Sequence, residues 1–203
     1  MARDVGTKGV ARAERQRQLV RAAVEEIGRH GYAGASVERV ARAAGVSKAM
    51  IYHLFGSKEG LAVACLEEVG PAVVAAVADA QTATDPGRRA QDTFTAIFTA
   101  LADDRYVWAV IYDHTLPPGS AAALLAAEHR SRLESLGTVG VGEVLAAAGV
   151  DDPLDAELLD RLWQSAVATT VHWWQGHDEL SAQEMAARCV RLLTVVTGGA
   201  APR

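Results

Sequence analysis

Apolar residues recur along almost the whole chain at helical spacing, three or four residues apart, and strand-type alternation is scarce. Val20, Ala23, Val24 and Ile27 form one such stripe, which predicts a first helix from about Val10 to His30, ended by Gly31. Val37, Val40, Ala41 and Ala44 form a shorter stripe over 36–44, with Ser36 placed to cap its free N–H groups. Gly45 suits a turn that needs positive φ. Ser47 opens a third helix over 47–53, and Ser57 a fourth that runs toward Ala80, with Pro71 expected to kink or split it. Beyond the break at Asp85-Pro86-Gly87, helices are predicted over about 86–102, burying Phe94, Ile97, Phe98 and Leu101, and over about 103–114, burying Val107, Trp108, Val110 and Ile111. Pro117-Pro118-Gly119 forces the next turn. A seventh helix runs from near Ser120 toward Ala148, weakened by Gly137, Gly140 and Gly142. Residues 154–175 are apolar nearly all round (Leu158, Leu159, Leu162, Trp163, Ala166, Val167, Val171, Trp173, Trp174), so that helix needs cover on both sides. Ser181 and Glu184 form a capping box, and Met185, Cys189, Leu192 and Val196 mark the stripe of the last helix.

The most informative stretch is 36–58, SVERVARAAGVSKAMIYHLFGSK. Ala41 lets the second helix approach closely, Gly45 makes the corner, and Val46, Ile51 and Leu54 point inward. Lys48, Ala49, Tyr52 and His53 are left on or near the outer side. A helix, a tight turn and a projecting second helix make the layout of a helix-turn-helix, whose second helix enters the DNA major groove.

This run resembles the TetR family of transcriptional regulators. Gly31-Tyr32 precede it, SVERVARAAGVSKAMIYHLF runs through it, and GSKEGL at 56–61 follows. The similarity is carried by the first 60 or so residues; beyond them only the helix pattern and length agree. It implies an all-α protein with a three-helix DNA-binding head at about 10–60 and a helical ligand-binding and dimerisation body at 61–203. It implies a DNA-binding transcriptional regulator: a homodimeric repressor released from a palindromic double-stranded DNA operator by a small-molecule inducer, which the few charges among the body's aromatic residues point to as lipophilic or aromatic. Helices at about 154–175 and 181–197 would pair with their twofold mates. A dimer suits the task, because one recognition helix reads too few bases and two read a palindrome.

For DNA, Lys48 is the candidate for a base edge or a nearby phosphate, since lysine donates to guanine O6/N7, and Ala49 for a thymine methyl. Tyr52 and His53 resemble the family's phosphate-binding residues. Lys58 is a further phosphate anchor at a helix N-terminus. Ser36 and Ser47 either join them or only cap, and Tyr52 could instead pack on the first helix. Ala49-Met50 offer few polar handles, which leaves part of the discrimination to DNA shape. Residues 1–9 read as a mobile arm, from which Arg3, Lys8 and Arg12 either reach a minor groove or, as the arm's disorder favours, make no contact. For a ligand, the resemblance places a pocket among the fifth to eighth helices. Phe98, Trp108, Tyr112 and Trp163 are the candidates there, with His129 and His172 as polar contacts, although aromatics at this spacing also make ordinary core. Trp173 and Trp174 fit either the body or the dimer interface.

Charge supports this reading. Residues 1–60 hold 11 Lys+Arg against 6 Asp+Glu, and the remainder 9 against 19, so a basic head sits on an acidic body and the net charge of −5 hides the contrast. Cys65 and Cys189 lie in apolar helical patterns and read as buried thiols; a redox pair lacks any Cys-x-x-Cys spacing. No secretory segment and no apolar run of about 18 residues is found, so a cytoplasmic protein without a membrane span is expected. His172 and His177, five apart, do not share a helix face, and no His-Glu-x-x-His occurs, so no metal is expected. No Gly-x-Ser-x-Gly or phosphate-cradling loop occurs, and Gly-Val-Gly at 140–142 lacks a preceding strand, so neither an enzyme nor a cofactor is expected. The alternative from another class is a helical small-molecule-binding protein or enzyme with a vestigial head. An activator, or a regulator whose cavity is filled by side chains, also stays open.

Overall fold

The computed structural model describes residues 5–196, with side chains from Arg12 onward. Among the described residues the chain is helical throughout, with no strand: α1 (Val5–Gly34), α2 (Val37–Ala43), α3 (Lys48–Phe55), α4 (Lys58–Asp79), α5 (Pro86–Ala100), α6 (Val107–Ile111), α7 (Ala121–Ala148), α8 (Pro153–Gln175) and α9 (Ala182–Val196). The serine caps are those expected from the sequence, and two aspartates at chain breaks cap as well. Ser36, Ser47, Asp85 and Asp152 accept from the first-turn amides of α2, α3, α5 and α8, and Ser57 Oγ accepts from Gly60 N at 2.9 Å. Ser181 and Glu184 close their capping box, Ser181 N donating to Glu184 Oε2 at 2.9 Å and Glu184 N to Ser181 Oγ at 3.2 Å.

The chain divides into two compact units, one of residues up to Gly70 with Tyr106–Ala127, the other of Pro71–Arg105 with residues from Glu128 onward. In the first unit, α1 packs on α2 and α6, and α2 on α3. Leu19, Val20, Ala23, Val24 and Ile27 are its buried stripe, facing a core that includes Val40, Ile51, Leu61, Leu66, Val107 and Ile111. Tyr106 lies so close to α1 that a Cβ on Gly28 would sit 2.4 Å from its Cβ. In the second unit α5 lies along α9. Phe98 meets Trp174 edge to face at 5.3 Å, and Phe94 meets Trp163 in the same way at 5.3 Å.

Several expectations need correction. Residues 5–9 belong to α1 rather than to a mobile arm; Arg3 and the Lys8 side chain lie outside the described residues, and Arg12 is exposed. Gly31 does break α1, at φ 66°, ψ 161°. Pro71 does not split α4, which runs on to Asp79. That helix is also long and apolar enough by composition to cross a membrane, contrary to the sequence reading. Leu61, Ala62, Cys65, Leu66, Val73 and Val77 are nevertheless buried within the fold, and Glu67 and Glu68 interrupt its length. The helix expected over 103–114 shrinks to Val107–Ile111. On its near side Arg105 leaves to bond Asp178 and the carbonyls of Trp174 and Leu180; on its far side Asp113 turns to backbone amides. α7 is unbroken despite its glycines, and Gly137 sits where a Cβ would come within 2.8 Å of Gln164 Nε2 and 3.1 Å of Trp163. The buried face of α9 is Ala182, Met185, Ala186 and Cys189, while Leu192 and Val196 are exposed.

Candidate nucleic-acid interface

Short-range backbone bonds close the last turn of α2 and then the corner that leads to α3. Ala44 N donates to Val40 O at 3.0 Å, and Val46 N reaches back to Ala41 O at 2.9 Å. Between them Gly45 holds φ 66°, the left-handed region that favours glycine. Ser47 then starts α3, its hydroxyl accepting from Met50 N at 3.2 Å. Ile51 is fully buried and anchors the helix; Val46 and Leu54 are half-buried. Gly56 ends it at φ 76°, its N–H on Tyr52 O at 2.9 Å. Lys48, Ala49, Met50, Tyr52 and His53 therefore all stand exposed on one short helix.

The predicted DNA residues are not independent of one another. Ser36 caps α2 by accepting from Arg39 N at 3.4 Å and donates its own hydroxyl to Glu38 Oε2 at 3.0 Å. Lys48 Nζ donates to Glu38 Oε1 and lies 5.7 Å from the centre of the Tyr52 ring. The bond from Lys48 lowers the Glu38 carboxyl from its ordinary value to about 2, helped by a backbone amide and Ser36, and the same bond raises Lys48. Lys58 Nζ lies 4.6 Å from the centre of the Tyr32 ring, at the first turn of α4. Glu38 was missed in the sequence. Its only signal there is an acid among basic residues, ten positions before Lys48.

The position of α2 is set by Glu26 of α1. Its carboxylate accepts from Ser36 N at 2.9 Å and from Arg39 Nε at 2.8 Å. Asp113, also missed, grips the last residues of α1, just past the bend at Gly31. It is buried and accepts from Tyr32 N at 2.5 Å and from Thr115 N and Oγ1 at 2.7 Å each, while Thr115 Oγ1 accepts from Ala33 N at 3.0 Å. Glu59 at the start of α4 accepts from Ala121 N at 2.8 Å, so residues 106–121 brace the head at three places.

The predicted ligand residues fall in both units. Trp108 and Tyr112 stack on each other at 4.6 Å in the first. In the second, Phe98 and the half-buried Trp163 both meet Phe94, and His129 is buried. His172 is exposed on α8, unlike its neighbours Val171 and Trp174, so the single chain does not hold it in the aromatic cluster. A groove of 390 Å³ beside Arg17, Phe55 and Glu68, and one of 660 Å³ between α7 and α8, are lined by none of the six.

The family profile for "Bacterial regulatory proteins, tetR family" matches residues 19–65. The chain is 30% identical over 190 residues to the HTH-type transcriptional activator FasR of Mycolicibacterium smegmatis, a match covering 81% of this chain and 84% of that one. Over shorter stretches it is similar to other HTH-type regulators, of whose length it spans 27–50%. Its fold is similar to that of the ketosteroid transcriptional regulator KstR2 of Mycobacterium tuberculosis, with a TM-score of 0.73 at 20% identity over 93% of this chain and 96% of that one. It is also similar to AibR in complex with isovaleryl coenzyme A and operator DNA, with a TM-score of 0.68 at 19% identity over 88% and 97%.

Proposed function

The chain belongs to the TetR family of bacterial regulatory proteins and is a DNA-binding transcriptional regulator rather than an enzyme, and from that premise we propose that it works as a cytoplasmic, ligand-released homodimeric repressor. The observation that carries this reading is α3, anchored by buried Ile51 with Lys48, Ala49, Tyr52 and His53 exposed together. In a major groove, Lys48 and Ala49 meet base edges. Tyr52, His53 and Lys58 meet phosphates, and Ser36 and Ser47 add the N-termini of α2 and α3. Leu154, Leu158, Leu162 and Trp173 on α8, and Leu192 and Val195 on α9, are exposed, which supports a twofold partner on these helices.

The complex of AibR with isovaleryl coenzyme A supports an acyl thioester or other lipophilic ligand. Phe98, Trp163 and His129 are the contacts best placed for it in the second unit. The ligand acts through different affinities for two states of the dimer. In one, the heads match the roughly 34–36 Å repeat of successive grooves; in the other they do not. α4, which starts in the head, transmits the change. The similarity to FasR, an activator by name, over about four fifths of each chain favours a second sign of control through the same DNA contacts.

The test is a gel shift on the DNA upstream of the protein's own gene. A salt-sensitive shift is expected, abolished by Tyr52→Ala with an unchanged melting temperature and released by isovaleryl coenzyme A or another lipophilic compound. Absence of a shift there, together with no enrichment from random duplexes, would sink the regulator reading and leave the small-molecule-binding alternative.

A further inference from the structure

Glu38 stands where a DNA-binding surface should least tolerate an acid. It is the second residue of α2, and it bonds Lys48, the first residue of α3. Both side chains are open to solvent, at 55% and 46% exposure. The other Glu38 oxygen takes the Ser36 hydroxyl, and Lys48 leans on Tyr52. Three proposed DNA contacts are thus organised around one carboxylate.

Resting on the DNA-binding reading above, we propose that Glu38 is a specificity-determining residue. It holds Lys48 in a neutral pair that a phosphate gains little by opening, so Lys48 leaves it only at a G·C pair whose edge takes both members. Moving Lys48 from Glu38 to a phosphate exchanges one exposed ion pair for another and leaves a carboxylate without its counter-charge facing the anionic backbone. Little counterion release results, and binding to arbitrary sequence is held down. At a G·C pair the exchange is complete on both sides. Guanine O6 and N7 accept from the ammonium, and the cytosine N4 amino group donates to the carboxylate. The depressed Glu38 carboxyl keeps the pair charged at every physiological pH.

The test compares wild type, Glu38→Gln, Lys48→Met, the double variant and a control, Glu128→Gln, which breaks an exposed pair with Arg132 elsewhere in the chain. Binding to a random-sequence duplex is titrated by fluorescence anisotropy across salt, and preferred sites are selected from random duplexes. Glu38→Gln should tighten random-sequence binding and steepen its log–log salt slope by about 0.9, one additional phosphate. It should also relax one G·C position per half-site and lower the selected-to-random ratio on the order of tenfold. The slope change should vanish in the Lys48→Met background, and Glu128→Gln should do none of this. An effect no larger than that of Glu128→Gln, one that survives without Lys48, or an unchanged G·C preference would overturn the proposal while leaving the regulator reading intact. A wild-type protein that binds no duplex at any salt would bring down that reading, and this one with it.

Discussion

Glu26 and Asp113 each use a carboxylate to hold backbone from another segment of the chain. Glu26 is a half-buried acid on α1, and burial by itself would push its carboxyl up. The hydrogen bonds from Arg39 and from Ser36 N, with the nearby positive charges of Arg39 and His30, outweigh burial and leave it below its ordinary value of 4.5. A carboxyl lowered in the folded state contributes stability that is fully present above its unfolded value and is lost as pH falls through the folded one. Thermal melts of wild type and Glu26→Gln should therefore differ at neutral pH, by about 1–2 kcal/mol for the lost charged bonds. The difference should close as the pH drops below about 4. A gap that persists into acid would assign the effect to packing instead. At the same scale, burial pushes the Cys189 thiol up to about 11, which suits an inert core residue.

At the scale of the element, α3 is useful because it is short and pinned at both ends. Ser47 caps its start, Gly56 turns the chain at its end, and Ser57 immediately caps α4. The close fit continues at Gly60, where a Cβ would lie 2.0 Å from the Phe55 carbonyl oxygen. Backbone, not a flexible side chain, is in the way, so Gly60→Ala has to push the start of α4 off the end of α3. A loss of about 2 kcal/mol or more is expected by thermal melting, with weaker DNA binding because Lys58 moves with that turn. An unchanged melt and an unchanged gel shift would mean that the α3–α4 corner is looser than this contact implies. Helix boundaries were legible here because caps and periodicity act within a few residues. α6 was misjudged because its limits are set by Arg105 and Asp113 bonding to segments dozens of residues away.

At the scale of the molecule, the basic head and acidic body divide the work: one attracts DNA, the other does not compete for it. The proposed dimer would cover the exposed apolar positions of α8 and α9. Sedimentation should give a dimer for wild type and a monomer for Leu158→Glu combined with Leu162→Glu, with helicity retained and DNA binding lost by well over tenfold, since half of a palindrome is read. A wild-type monomer that still binds DNA tightly would refute the twofold arrangement.

The all-helical class, the serine caps, the glycine corner and the residues displayed on α3 are all legible along the chain alone. Each of these depends on neighbours within about one or two turns, where spacing alone dictates which side chains share a face. The grouping of residues 106–127 with the head, the grip of Asp113 on the bend after Gly31, and the pairing of Lys48 with Glu38 emerge only on folding. Those contacts join positions ten to eighty residues apart. A charge on an exposed helix face reads the same in sequence whether it awaits a phosphate or already holds a partner, and only the folded chain brings the partner into reach.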